Sequence, residues 1–533
     1  MHTKPAPDHV PVLIVGAGLA GLSTAMFLGL HGVRSLVVER HAGTSNQPKA
    51  RGQMPTVMEA FRIAGIDQQV ADAGFDIGKP MEIVIGPTAT GRPFQTLIES
   101  FDFDLADLTP ARMAMTSQEA VEPILMRRAI ELGAEVSFRT ELIDFEATDQ
   151  IVTAEVSDTS GHRRTITADY LVGADGWRTK VRGTAGVGWH GRGRLSSWVG
   201  TIFRADLGSV MTGHEMRLVY LQNPELHGST GAFTVTDEPG RYVFTFAFDP
   251  QHETVADFNA DYCIEQIRIG IGDPEIAIEV LDIVETEFAH RLADRYVAGR
   301  VALAGDAAHV MPPTGGQGGN TAVLDGFDLG WKLAMIIKRQ AGHGLLDSYD
   351  AERRPYGEWI ADYQYQNLLH RMSPGGAEQA DAERQLDPLD LMFGARVVDG
   401  AVCAEPDDDH GFLEPARKPT GRPGSRVPQL WLRKDSVRYP ILDLLGRSFV
   451  ILTADPAWSA AAATVADDLG VPLQLHVITE GDVADPGPDW TARYGIGRNG
   501  ASLIRPDRFV GWRTADAPDP AALAAALRRI LCR

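Results

Sequence analysis

Apolar runs punctuated by glycine and proline set the rhythm of this chain. Pro11-Val12-Leu13-Ile14-Val15 reads as a buried strand that runs into Gly16-Ala17-Gly18-Leu19-Ala20-Gly21. Leu22, Ala25, Met26 and Leu28 then recur at helical spacing, and Ser35-Leu36-Val37-Val38-Glu39 reads as a second strand ending in an acid. Two more short apolar strands, at 169–174 and 299–304, each end in an acid beside glycine, at Asp175-Gly176 and Gly305-Asp306. After Val310 a Pro/Gly loop leads to a long helix with Val323, Phe327, Leu333 and Ile337 at its apolar positions. That helix is expected to start at 319–321 and to run to about 341, with Gly342 as its C-terminal cap.

From 183 to 284 the texture becomes strand-like. Runs at 198–203 and 216–221 are apolar, the second closed by Gln222-Asn223-Pro224, and 242–248 alternates aromatic with small residues. The aromatics facing inward from such a sheet serve as packed core or as walls for a planar ligand, core being the commoner use. The stretch 401–428 is rich in Pro, Gly and Asp and reads as a linker. Beyond it the pattern predicts a strand at 449–452, a helix at 459–469, strands at 473–478, 501–504 and 508–512, and a last helix. Asp519 and Pro520 open that helix, and Leu523, Leu527, Ile530 and Leu531 line one face.

The first glycine cluster has a physical reading. Gly16 permits a tight turn, Gly18 lets backbone approach a pyrophosphate, and Gly21 lets the helix pack on the strand. The helix N-terminus supplies N–H groups and a positive dipole, and Glu39 accepts from ribose hydroxyls. The sequence Gly495-Ile496-Gly497-Arg498-Asn499-Gly500 has the same spacing, but no apolar strand precedes it and a strand follows it, so it reads as a loop. In an open α/β sheet ligands sit at the carboxyl ends of strands, which places Asp306 to hold a ribityl hydroxyl. Pro312, Pro313 and four glycines before Asn320 make a loop able to lie flat against an aromatic ring system. The following helix N-terminus then directs its dipole at the ring edge where negative charge collects.

Bulk properties narrow the partners. The 533 residues suggest about three domains, and 44% apolar with 23% charged residues is ordinary for a folded protein. A net charge of −21 argues against nucleic acid and acidic membranes. Cys263, Cys403 and Cys532 are far apart with no CxxC, which argues against a disulfide scaffold or a cysteine metal site and suits a reducing compartment. No metal is expected. The opening residues do not look like a signal peptide, and no apolar run approaches the ~20 residues of a membrane span, so the expected location is the cytoplasm. Self-association stays open.

GxGxxG at Gly16, the Asp175-Gly176 pair and the Gly305-Asp306 pair, in this order, resemble the three fingerprints of the class A flavoprotein monooxygenases, the para-hydroxybenzoate hydroxylase family. The resemblance implies an α/β fold with a Rossmann-like FAD-binding domain at 1–182 and 285–400. It adds a β-sheet substrate domain at 183–284 with help from about 76–105, the linker at 401–428, and a thioredoxin-like domain at 429–533. It implies non-covalent FAD, NADPH or NADH as co-substrate, and O2, with the Asp175 segment serving both flavin and pyridine nucleotide. The implied FAD contacts are Gly16, Gly18, Leu19, Ala20, Gly21, Glu39, Arg40, Gln118, Asp175, Gly305, Asp306, Pro313, Gly318, Gly319 and Asn320. Lys49 stands where the family usually has arginine, so the contact from that loop falls to Lys49 or Arg51.

The string 313–323 with Asp325-Gly326 is similar to the branch that decorates aromatic polyketides. That similarity implies hydroxylation of a phenolic, polycyclic substrate through a C4a-hydroperoxyflavin. Baeyer–Villiger insertion on the same scaffold and a non-catalytic flavin-binding module are the alternatives, and the intact Pro/Gly loop argues against the second. The WxWxIP string of flavin halogenases is absent. Phenol activation calls for an arginine or a tyrosine relay, for which Tyr220 and Arg371, next to His370, are the candidates.

Overall fold

The computed structural model describes residues 9–99, 103–208, 216–372, 386–479, 482–483 and 489–533. Of the stretch 76–105, residues 100–102 lie outside the described residues. Seven helices are used below: α1 (Leu19–Leu30), α2 (Pro55–Ala64), α3 (Gln118–Glu131), α4 (Gln317–Ile337), α5 (Asp347–Met372), α6 (Trp458–Leu469) and α7 (Pro520–Ile530).

The strand His9–Val15 is central to the first sheet. Ser35–Glu39 and Arg163–Gly173 flank it in parallel, and Val301–Leu303 adds in parallel beyond the latter. Register decides what this achieves: Val15 lies opposite both Val38 and Gly173, and Gly173 lies opposite Leu303. The three glycine–acid signals, more than a hundred residues apart in sequence, therefore emerge at one sheet edge. Helix α1 is buried along its whole length, which fits its nearly uninterrupted apolar sequence. Small residues bring α4 against it. A Cβ at Gly326 would lie 2.6 Å from Thr24 N, and one at Gly330 2.5 Å from Phe27 Cβ.

Helix α4 differs at both ends from the sequence expectation. It starts at Gln317, two residues early, and stops at Ile337. Arg339 adopts φ +58 and Gln340 N donates to Met335 O at 2.8 Å, which closes the helix before Gly342. Gly342, at φ −73, instead opens the short turn His343–Leu345.

The second sheet runs Trp189–Arg204, Arg241–Phe248, Thr230–Val235, Met216–Gln222, Met81–Gly86 and Gln95–Ile98 outward from the long strand Glu279–Ala293. That long strand crosses the expected domain boundary at 284/285. It pairs with Trp189–Arg204 as far as Ala293, so the sheet domain continues about nine residues further. Tyr242, Phe244, Phe246 and Phe248 are buried as period-two alternation requires. They pack under the helix Ala260–Ile271, where a Cβ at Gly270 would lie 2.2 Å from the Phe244 ring. Those aromatics are core.

The C-terminal sheet has the order Leu473–Val477, Phe449–Thr453, Ala501–Ile504, Val510–Thr514, with α6 and α7 packed on it. Asp519 caps α7, accepting from Ala521 N and Ala522 N. The 495–500 glycines form the loop into Ala501–Ile504. The 401–428 stretch is no free linker. It lacks regular structure, yet Ala401 N donates to Glu352, Cys403 N to Gly511 O and Gly424 N to Val510 O, so it is a strap hydrogen-bonded to both sides. The strand expected at 508–512 starts at Val510, because Arg508 takes φ +74 in a turn.

Candidate cofactor cleft and active site

At the shared sheet edge, Gly16 (φ +107) approaches Ala174 so closely that a Cβ would lie 2.2 Å from its carbonyl oxygen. A Cβ at Gly21 would lie 1.9 Å from Gly16 O. Gly18 is different: its nearest contact would be Glu122 Oε1 at 3.7 Å, so backbone here is open to a ligand. Helix α1 starts at Leu19 with Gly18 as its cap and no side-chain capping bond, which leaves the N–H groups of Leu19, Ala20 and Gly21 without intrahelical acceptors. Glu39 Oε2 accepts from Ala17 N at 2.9 Å, and its Oε1 accepts from His41 N. Arg40 is exposed beside it. Just beyond the next strand, Asp175 Oδ2 accepts from Lys180 N and Val181 N, while among the described residues its buried Oδ1 has no hydrogen-bond partner.

The Gly305-Asp306 turn rests on a residue that the sequence reading did not place in the site. Asp325 Oδ2 accepts from Gly305 N at 3.0 Å and from the His309 ring at 2.6 Å, and Oδ1 accepts from Arg353 Nε at 3.0 Å. Burial alone would raise its pKa, but His309 and Arg353 hold it below the usual carboxylate range. A charged residue within a largely apolar helix, twenty positions after Gly305, was the signal available. Asp306 itself is open to solvent in the cleft yet crowded by protein. That crowding raises its pKa against the opposing charges of His309 and Lys49.

The loop 49–54 closes this side. Arg51 is committed elsewhere, to Asp237 at 2.8 Å, and Asp237 also accepts from Ser117 N. Lys49 is exposed and faces Asp306, so of the two cations it is the one directed to the cleft. Gln118 opens α3. Its N–H donates to Lys49 O, and its amide donates to Glu122, whose pKa burial raises. Behind the loop a cavity of about 550 Å³ is lined by Met58, Phe75, Ile77 and Met113 among others.

Across the cleft Pro313 is exposed, Gly315 has φ +132, and Gly316 (φ +66) caps α4 without a side-chain bond. A Cβ at the half-buried Gly318 would meet Met311 at an ordinary 3.8 Å, and one at Gly319 would crowd Ala50 and Leu19. The Asn320 side chain is used structurally. It accepts from Met54 N at 2.7 Å and donates to Gly52 O and Gly316 O, tying loop 49–54 to α4. Only its backbone remains for a ligand.

Tyr220 and Arg371, 151 residues apart, meet: Arg371 donates to the Tyr220 hydroxyl at 3.3 Å. Leu218, Tyr220 and Gln222 share one face of their strand, and Gln222 donates to Arg371 O. Among the described residues Arg371 Nε and His370 Nδ1 are buried without hydrogen-bond partners. The carboxylates of Asp328, Glu352 and Asp507 also cluster, but Lys332 and Arg505 lie among them and make this an ionic cluster. Among the described residues no helix is long and apolar enough to cross a membrane.

The uncapped α1 N-terminus, the open backbone at Gly18, the orphaned Asp175 oxygen and the open Asp306 fit a dinucleotide carrying two phosphates and hydroxyl-rich sugars. The chain matches a family described as FAD binding domain over residues 9–363, and one described as aromatic-ring hydroxylase, C-terminal, over 420–533. Aklavinone 12-hydroxylase RdmE of Streptomyces purpurascens is 42% identical over 99% of this chain and 100% of its own. A 4-methyl-5-nitrocatechol 5-monooxygenase of Burkholderia sp. is 38% identical over 99% and 98%. A solved ternary complex of aklavinone-11 hydroxylase with FAD and aklavinone superposes with TM-score 0.92 at 41% identity, covering 99% of this chain and 100% of that one.

Proposed function

This chain belongs to the FAD-dependent aromatic-ring hydroxylases, and from that premise we propose that it hydroxylates a phenolic polycycle of polyketide type with NADPH or NADH and O2. The Tyr220–Arg371 pair is the observation that carries the assignment beyond the family. When bound, FAD would supply the redox chemistry, two-electron reduction by a nicotinamide and activation of O2.

The residues of the chain supply the rest. The N–H groups at the start of α1 hold the pyrophosphate, Glu39 the adenosine ribose, and Asp306 and Gln118 the ribityl chain, with Lys49 adding a cation. The Pro313–Gly319 loop and the α4 dipole would lie against the ring and favour negative charge on it when it is reduced. The Tyr220 hydroxyl accepts from Arg371 and so has its own O–H to donate to the substrate oxygen, and the Arg371 guanidinium stabilises the phenolate left when the phenol's proton passes to solvent. Leu218, with Ile83 and Ile85 in register beside it on the Tyr220 face of the sheet, excludes water. The C-terminal domain, with α6 and α7 on a mixed four-stranded sheet, is read as thioredoxin-like and lacks a CxxC.

The deciding experiment is reductant oxidation by the FAD-loaded protein against a panel of polycyclic and monocyclic phenols. Stimulation by a polycycle, with a product heavier by one oxygen and a new phenolic hydroxyl, is expected. A ring-expanded ester of the same mass would replace this reading with Baeyer–Villiger insertion. Protein that stays colourless after FAD is added would remove it.

A further inference from the structure

The C-terminal domain lacks a CxxC, yet it grips the helix that continues the cofactor loop. Along one side of α2, four positions meet it or the strap that leads into it. Arg508 donates to Thr56 O at 3.1 Å. Glu59, fully buried, pairs with both Arg508 and Arg426 and accepts from Thr109 at 2.5 Å. Arg62 makes a two-pronged bond to Asp443 at 2.7 and 3.0 Å. Gly446 packs on Ile63, where a Cβ would lie 2.3 Å from Cγ2. The same turn holds the other wall: Arg505 pairs with Glu352 of α5 and lies over Trp331 of α4, while Arg508 lies over Phe327 of α4.

The loop on the other end of α2 needs such an anchor. Ala50 is held at φ +39 and Gly52 at φ +93, conformations that cost energy or glycine to maintain. Asn320 fixes the loop to α4 from the cleft side, and α2 fixes it from behind.

We propose that the Arg505–Arg508 turn of the C-terminal domain is a positioning element for the flavin, with Arg508 as the positioning residue that sets loop 49–54 through α2. The inference rests on the assignment of that loop to the FAD cleft. Without the Arg508–Glu59 pair α2 loses its reference, Lys49 and Gly52 shift against the cofactor, and oxygen transfer separates from reductant consumption.

The test uses the full chain as Arg508→Met, Arg508→Lys, the milder surface variant Asp443→Asn, and the control Tyr494→Phe. Among the described residues the Tyr494 hydroxyl bonds only Pro428 O, inside the C-terminal half. Hydrogen exchange across 49–60 is read in FAD-free protein; the visible spectrum of bound FAD and the share of reductant ending as hydrogen peroxide are read in holoenzyme. Arg508→Met is expected to speed exchange at 49–60 by about tenfold or more, shift the flavin spectrum and raise peroxide. Arg508→Lys recovers part of this, Asp443→Asn moves a smaller step the same way, and Tyr494→Phe leaves loop and spectrum unchanged. Wild-type exchange at 49–60 in both Arg508→Met and Asp443→Asn overturns the proposal. So does faster exchange that is uniform over the C-terminal domain with an unshifted flavin spectrum. A wild-type protein that binds no FAD would instead overturn the cleft assignment, and the exchange data would still report the coupling of the turn to the loop.

Discussion

Asp325→Asn tests how the Gly305-Asp306 turn is held. The carboxylate is fully buried and takes three donors: Gly305 N, the His309 ring and Arg353 Nε. Bonds to a charged group are worth about 1.5–3 kcal/mol each, but the asparagine oxygen keeps one of them. The larger loss comes from Arg353, left buried beside a neutral group, and breaking such a pair costs about 3–5 kcal/mol. The folding equilibrium should therefore weaken by roughly two to three and a half powers of ten. Urea unfolding followed by tryptophan fluorescence measures this, and FAD titration of the same variant should show affinity lowered about tenfold as the turn loosens.

The pH dependence has a definite sign. Against the effect of burial, His309 and Arg353 hold Asp325 below its ordinary value. Its contribution is present above the unfolded pKa of about 4 and is lost as pH falls through the lower folded value. The asparagine variant should lack that acid limb. A variant with the wild-type urea midpoint and wild-type FAD affinity would refute the reasoning, because no other described group bonds to Gly305 N.

Gly305→Ala places a Cβ 2.8 Å from Ala20 Cβ at φ +59, a strain of about 1–2 kcal/mol before the clash, so FAD titration should show weaker binding by tenfold or more. Tyr220→Phe and Arg371→Met should keep FAD bound while product formation falls about 10²- to 10⁴-fold, with the loss greatest at low pH where the phenol stays protonated; unchanged turnover would dismiss the relay. Burial, only partly opposed by Lys332, together with the Glu352 and Asp507 carboxylates, pushes Asp328 up to about 7. The folded state then keeps a proton that the unfolded chain releases, so this group lowers stability as pH rises from about 4 through about 7. Asp328→Asn should accordingly gain on the wild type in urea midpoint between pH 6 and 8.

What the sequence determined by itself was local. The α1 cradle follows from glycines whose spacing sets φ and close approach, the Asp519 cap from one side chain and two N–H groups, and the 242–248 alternation from the strand period. Each lies within a few residues, so the signal survives without the fold. The end of α4 did not, because Arg339 rather than Gly342 takes the left-handed position, and the strand Glu279–Ala293 outran its expected boundary because its partner Trp189–Arg204 is long enough to pair with it.

Tertiary structure alone decided which charges meet. Lys49 and Arg51 are equivalent on paper until Asp237, far along the chain, claims Arg51. Asp325 becomes the support of Gly305 only once α4 lies behind that turn, and Tyr220 meets Arg371 only when α5 crosses the sheet. Glu59 finds its two arginines in the strap and in the C-terminal domain, more than three hundred residues on. A charged side chain carries no mark of its partner in the local pattern: burial demands that it have one, and only the packing of distant surfaces determines which.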